Sequence, residues 1–132
     1  IINGNPARGE ELADLLAQRT PARSAYLPWQ GAIKIPEGTD ILVNATSVGL
    51  YPNVTQRPDI DYSTVREGMT VSDVVFNDPR TRFLAEAERR GAKTVNGLGM
   101  LVNQGALNFS LWTGVEAPVN VMTGALRREF GL

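Results

Sequence analysis

At 132 residues, 42% of them apolar, the chain has the length of one domain and enough hydrophobic surface for a core. Thirteen basic residues against fourteen acidic ones leave a net charge of -1, which rules out a strong electrostatic case for nucleic acid, since phosphate neutralisation needs a basic face. No apolar run reaches the length of a membrane span, and with neither Cys nor His the chain has no disulfide framework, no thiolate metal site and none of the commonest general base.

Any proton transfer therefore falls to Asp, Glu, Lys or Tyr, or to a residue from elsewhere. No secretion signal is expected from the opening residues. The N-x-[ST] triplets at Asn44, Asn53 and Asn108 accordingly read as chance matches, and the expected location is cytoplasmic.

Ile1-Ile2 resembles the end of a buried strand, and residues 3–6 form a turn. A helix is predicted over residues 8–18, with Leu12, Leu15 and Leu16 on one apolar face and Pro21 beyond its end. Residues 25–27 suit a short strand. Ile41-Leu42-Val43 reads as a strand buried on both faces, and residues 49–62 as loop. A strand follows over residues 69–76, broken by Asn77-Asp78-Pro79. Thr81 is placed to cap a helix running to Arg90, with Phe83, Leu84 and Ala87 inward and Gly91 at its end. Residues 93–95 form a short strand, residues 99–112 a helix, and Pro118 opens a last helix over residues 119–130. Strands alternating with helices predict an α/β domain with a largely parallel sheet.

In such sheets ligands bind beyond the carboxyl ends of the strands, and three of those ends stand out. The first is residues 3–8. It lacks the acid that would hold a ribose diol, and it carries Arg8, whose planar fork suits a phosphate. An ordinary solvated helical Arg is the competing reading. The second is residues 43–49, where Ala45, Thr46, Ser47 and Gly49 let a ribose approach the backbone. The same residue types also populate ordinary turns. The third is residues 97–104. Gly97 and Gly99 permit a tight strand-to-helix turn. Met100 could lie against a flat ring, and Gln104 follows one turn later on the same face. Met100 as core and Gln104 as surface is the plainer alternative. Asp73 is a lone carboxylate in an apolar strand; a buried one must be hydrogen-bonded, and a structural role is favoured over catalysis. Trp29 and Trp112 are expected in a core or interface.

Taken in order, several segments resemble the C-terminal portion of the shikimate dehydrogenase family. They are the turn with Arg8, Asn44-Ala45-Thr46-Ser47-x-Gly49, Asp73-Val74-Val75-Phe76 with Pro79-x-Thr81, Gly97-Leu98-Gly99-Met100-Leu101-Val102-x-Gln104, and Trp112-Thr113-Gly114. The resemblance implies an incomplete Rossmann-like three-layer domain. It further implies NADPH-dependent reduction of 3-dehydroshikimate to shikimate, in aromatic amino acid biosynthesis (the chorismate pathway). By the same resemblance Asn3, Asn5 and Arg8 would hold the 2′-phosphate of NADP, with NAD an alternative cofactor. Thr46, Ser47 and Val74 would line the cofactor, Gly97 and Met100 would touch the nicotinamide, and Phe76 and Gln104 would face shikimate or a related cyclic polyol acid.

Two positions depart from the family pattern. Gly4 stands where an Arg is usual, which weakens the expected phosphate clamp. Phe76 stands where a Tyr is common, which removes a hydroxyl from the substrate side. The family's substrate domain, its catalytic Lys-Asp pair, its first Rossmann strand and its glycine-rich loop have no counterpart in these residues. The strands at Ile1-Ile2 and Ile41–Val43 would thus lack their common neighbour and expose apolar faces. The expectation is a cofactor-binding portion, residues 1–132, that is inactive alone. It would be completed by a missing N-terminal portion or another chain, with the helices of residues 99–130 facing the substrate domain, and a homodimer is compatible with it. A quinate-type paralogue and a non-catalytic assembly module that uses the sheet edge stand as the alternatives.

Overall fold

A computed structural model describes all residues, 1–132. In chain order the elements are β1 (Ile2–Asn3), α1 (Pro6–Arg19), β2 (Leu27–Pro28), β3 (Ile33–Lys34), β4 (Ile41–Asn44), β5 (Ile60–Asp61), a 3-10 turn (Tyr62–Thr64), β6 (Thr70–Asp73), α2 (Arg82–Arg89), β7 (Lys93–Val95), α3 (Leu98–Thr113) and α4 (Val119–Glu129). They divide between two compact units, Ile1–Ile35 with Asp59–Asp61, and Pro36–Pro58 with Tyr62–Leu132.

In the first unit β1 pairs parallel with β2, Ile2 opposite Leu27, and β3 pairs parallel with β5, Ile33 opposite Ile60. Helix α1 starts at Pro6, two residues before the predicted start at residue 8. Asn5 caps it by accepting from the Arg8 N–H at 3.2 Å, and Pro6 occupies the first helical position, where its missing N–H costs nothing. Its buried residues are Gly9 and Ala13, while Leu12 and Leu15 are 44% and 46% exposed. The leucine periodicity therefore marks the stripe beside the packed one. Gly9 lies so close to the Tyr26 ring that a Cβ there would collide with it. Thr20 closes the helix, its hydroxyl donating to the Leu16 carbonyl.

In the second unit the sheet runs β4-β6-β7, all parallel, with Ile41 opposite Thr70 and Thr70 opposite Lys93. Val71 and Asp73 point to one face of β6, and both are buried. Phe83, Leu84 and Ala87 are the buried residues of α2, which packs on β6 and β7. Thr81 caps α2 as expected, accepting from the Leu84 N–H at 3.3 Å. Gly91 ends it at a positive φ of 79°, donating to the Glu88 carbonyl while Ala92 donates to that of Ala87. That is the Schellman closure a left-handed residue permits. Helix α4 packs against α3, where Met122 meets Gly105.

Two expectations need correction. Strand β4 is not buried on both faces: Ile41 is 66% and Val43 52% exposed, because no helix packs over the face they share, and β6 is the strand's only hydrogen-bonded neighbour. The segment read as loop over residues 49–62 contains β5, a two-residue strand too short to show alternation. All paired strands are parallel, in agreement with the expected α/β class.

Candidate functional site

In the first unit, Asn3 and Asn5 shape the turn that launches α1. Asn3 Oδ1 accepts from the Asn5 N–H at 2.8 Å, and the Tyr26 hydroxyl donates to the Asn3 carbonyl at 3.1 Å. Arg8 lies in the first turn of α1, exposed, with no acidic residue in that turn. Gly4 is exposed too.

In the second unit the carboxyl ends of β4 and β6 are joined by side chains. Asn44 is 4% and Asp73 1% exposed, and they are register partners. Asn44 Nδ2 donates to Asp73 Oδ1 at 3.0 Å and to the Val48 carbonyl at 3.2 Å. Asn44 Oδ1 accepts from both the N–H and the hydroxyl of Thr46, at 3.2 and 2.7 Å. All four hydrogen-bonding positions of that amide are thus filled. Thr46 Oγ1 in turn accepts from the Val48 N–H at 3.1 Å. The Thr46 hydroxyl therefore shapes its own loop and retains only accepting capacity toward a ligand. Ser47, beside it, is exposed with a hydroxyl no such bond engages.

Asp73 has further partners. Oδ1 also accepts from the Val75 N–H at 3.0 Å, and Oδ2 accepts from the Thr81 hydroxyl at 2.6 Å. The exit of β6 thus leaves Val74 half-buried and Phe76 39% exposed. Asn77, which the sequence marks only as a strand breaker, steadies the neighbouring loop: its Oδ1 accepts from the Tyr51 N–H at 3.2 Å.

Gly97 is buried at the N-cap of α3 with φ -76°, so no backbone constraint demands glycine there. Its requirement is steric, since an added Cβ would stand 2.7 Å from the Val75 carbonyl oxygen and 2.9 Å from that of Val74. Gly99 faces open space. Met100 is 47% exposed, and Gln104 is exposed on the same side of α3, so Met100 is not core. The Gln104 amide is partly engaged, Nε2 donating to the Leu101 carbonyl at 3.2 Å and Oε1 accepting from Asn108 at 3.3 Å.

Within the second unit the structure thus brings Thr46, Ser47, Val74, Phe76, Gly97 and Met100 to the carboxyl ends of parallel strands and the helix that follows them. There is no cluster of metal-ligating side chains. A parallel α/β unit with small and polar residues at its strand ends defines the Rossmann-like class.

Known proteins narrow this. The family profile described as the shikimate 5′-dehydrogenase C-terminal domain matches residues 97–127. The shikimate dehydrogenase (NADP(+)) of Methanopyrus kandleri is 45% identical over 128 residues, 96% of this chain and 44% of that protein. The ligand-free 5-ketofructose reductase of Gluconobacter sp. strain CHM43 superposes with a TM-score of 0.86 at 39% identity, over 98% of this chain and 47% of the other. The shikimate 5-dehydrogenase of Thermus thermophilus, in complex with NADP(H) and shikimate, gives a TM-score of 0.76 at 34% identity, over 96% and 44%. The chain belongs to the shikimate dehydrogenase family and corresponds to its C-terminal part. It spans less than half the length of the curated relative it matches, 44%.

Proposed function

We propose that this chain is the cofactor-binding part of an NADP-dependent shikimate dehydrogenase. The observation that carries the reading is the set of small, polar and close-approach residues at the β4 and β6 ends and the start of α3, on a chain 45% identical to an enzyme of that name. The residues fit the cofactor's chemistry. In the first unit, Arg8 offers an exposed guanidinium at a helix start free of carboxylates, which suits a 2′-phosphate, with Asn3 and Asn5 shaping the approach. In the second, Ser47 offers a free hydroxyl and Thr46 a lone pair. Val74 lines the β6 exit, Gly97 lets α3 start close against that exit, and Met100 offers an exposed thioether for a flat ring. Bound NADPH supplies the hydride that reduces a ketone. This chain's residues orient it, and Phe76 and Gln104 face the substrate. The proton donor comes from outside these residues.

Completion by an N-terminal portion or a further chain follows in the same reading. Its support is the unpaired edge of β4 with Ile41 and Val43 exposed, together with the exposed Leu107, Leu111 and Trp112 of α3, which suit packing against a substrate domain. These 132 residues alone are inactive.

A second reading, a reductase of a related polyol ketone, is favoured by Phe76, which offers no hydroxyl, and by the TM-score of 0.86 to the 5-ketofructose reductase. The test is a steady-state comparison of shikimate, quinate and 5-ketofructose with NADP(H) and NAD(H), on the protein joined to its N-terminal portion. A kcat/KM highest for shikimate with NADP supports the first reading. A preference for 5-ketofructose replaces it with the second. Turnover of none overturns both.

A further inference from the structure

Asp73 is the one carboxylate buried in this chain, and the reaction just proposed gives it no task. Its two oxygens point to different parts of the fold. Oδ2 takes the hydroxyl of Thr81, the cap of α2. Oδ1 takes Asn44 Nδ2 from the end of β4 and the Val75 N–H from the exit of β6. A carboxylate oxygen only accepts, so it dictates that Asn44 presents its nitrogen to β6 and its oxygen to Thr46. With the amide turned the other way, Asn44 Oδ1 would face Asp73 Oδ1 and the Val48 carbonyl, and its NH2 would face the Thr46 N–H. All three contacts would be repulsive. The Thr46 N–H would then lose its acceptor, and the Thr46 hydroxyl would have to accept from the turned NH2 instead of donating to Asn44 Oδ1, which changes the loop's anchorage. The Val75 bond fixes the same strand exit whose carbonyls at Val74 and Val75 abut Gly97.

We infer that Asp73 is a positioning residue of the cofactor site: through Asn44 and Val75 it sets the 44–48 loop and the β6 exit in the geometry that receives the dinucleotide. It neither touches the ligand nor transfers a proton. The inference rests on the cofactor-binding reading above, and it makes the two oxygens separable, Oδ1 serving the site and Oδ2 the helix cap.

The test is a crossed pair of variants, Asp73→Ala and Thr81→Val, with Asp73→Asn as the conservative rescue, because its carbonyl can keep the Oδ1 contacts. The readouts are amide hydrogen exchange without ligand and the Kd for NADP of the full chain. In Asp73→Ala the Thr46 and Val48 amides should exchange at least tenfold faster relative to other β4 and β6 amides, and NADP binding should weaken at least tenfold. Thr81→Val should accelerate the Leu84 amide instead, leaving Thr46, Val48 and the Kd near wild type, and Asp73→Asn should fall within threefold of wild type in Kd. Should Asp73→Ala fail to fold, Asp73→Ser, which keeps a polar atom at the buried position but is too short to hold Asn44 Nδ2 and the Val75 N–H together, carries the same contrast.

Unchanged Thr46 and Val48 exchange in Asp73→Ala overturns the inference, as does an unchanged Kd beside accelerated exchange. An Asp73→Asn that binds NADP normally but loses turnover with an altered pH profile overturns it in favour of proton transfer. If the wild-type protein binds no nicotinamide nucleotide, the functional reading fails on that observation alone, and the exchange pattern still decides whether Asp73 holds the loop.

Discussion

Asn44 and Asp73, 29 residues apart in the chain, face each other across β4 and β6, and the amide of one donates to the carboxylate of the other at 3.0 Å. The pair converts strand register into loop geometry. Parallel pairing places the two side chains on one face, and the buried carboxylate then selects the orientation of the amide that organises residues 44–48. A one-residue slip of either strand would turn its side chain to the opposite face and leave the other without its partner.

Gly97 is needed for the space it leaves rather than for its φ. Gly97→Ala should destabilise the protein by about 1–3 kcal/mol, since the Val74 and Val75 carbonyls must move. Gly99→Ala, facing open space, should be neutral or slightly stabilising in its helix. Urea denaturation of the two variants checks this. Equal midpoints would show that the close approach is not what selects glycine at 97.

Thr81 serves two partners at once, accepting from Leu84 and donating to Asp73. Thr81→Ala should cost about 1–3 kcal/mol, combining a lost cap with a buried acceptor left short of a donor. Thr81→Ser should recover most of it. A serine variant no more stable than the alanine one would show that the hydroxyl is not the source of the effect.

The Arg80 guanidinium, hydrogen-bonded at 2.8 Å, holds the Glu88 carboxyl below its ordinary 4.5; partial burial opposes the shift, and the Thr94 hydroxyl adds to it. A depressed carboxyl stabilises the fold above its unfolded pKa, and that contribution is lost as pH falls through the folded value. Glu88→Gln should therefore cost little at neutral pH, under about 1 kcal/mol because the pair is well solvated. The difference from wild type should vanish under acid conditions below the carboxylate range. Thermal melts from pH 7 down to pH ~3 measure it; a gap that widens on acidification would refute the assignment.

Arg8 and Gly4 should govern the choice of cofactor. Arg8→Ala should raise the KM for NADP roughly tenfold or more, the loss of a charge-assisted bond, and leave NAD nearly unchanged. Gly4→Arg should sharpen NADP preference, because Gly4 is exposed and its Cβ position is empty, so the larger side chain enters without strain. Parallel kinetics with both cofactors decide it, and an equal effect of Arg8→Ala on NAD and NADP would remove Arg8 from the phosphate.

Phe76, 39% exposed where β6 ends, should set part of the substrate choice. Phe76→Tyr adds a hydroxyl without changing the ring and should lower the KM for shikimate roughly three- to tenfold. The KM for NADP should hold. A KM for shikimate that stays the same or rises would place the substrate away from this side chain.

What the residues determined by themselves was local. Pro21, Thr81, Gly91 and Pro118 mark helix ends because caps and breakers act within one turn of chain. The four helices and the strands at β4, β6 and β7 were legible for the same reason. The motifs at residues 44–49 and 97–104 disclosed the family before any geometry was known. Tertiary structure decided what depends on neighbours distant in sequence. It gave Asp73 its three donors, committed the Thr46 hydroxyl to its own loop, and made Gly97 a matter of carbonyl clearance. It also left one side of β4 exposed despite its continuous apolar run, and buried Gly9 and Ala13 in place of Leu12 and Leu15. Periodicity reports which side chains share a face, but burial and hydrogen-bond partners depend on what is packed against that face, and that is settled only when separate segments come together.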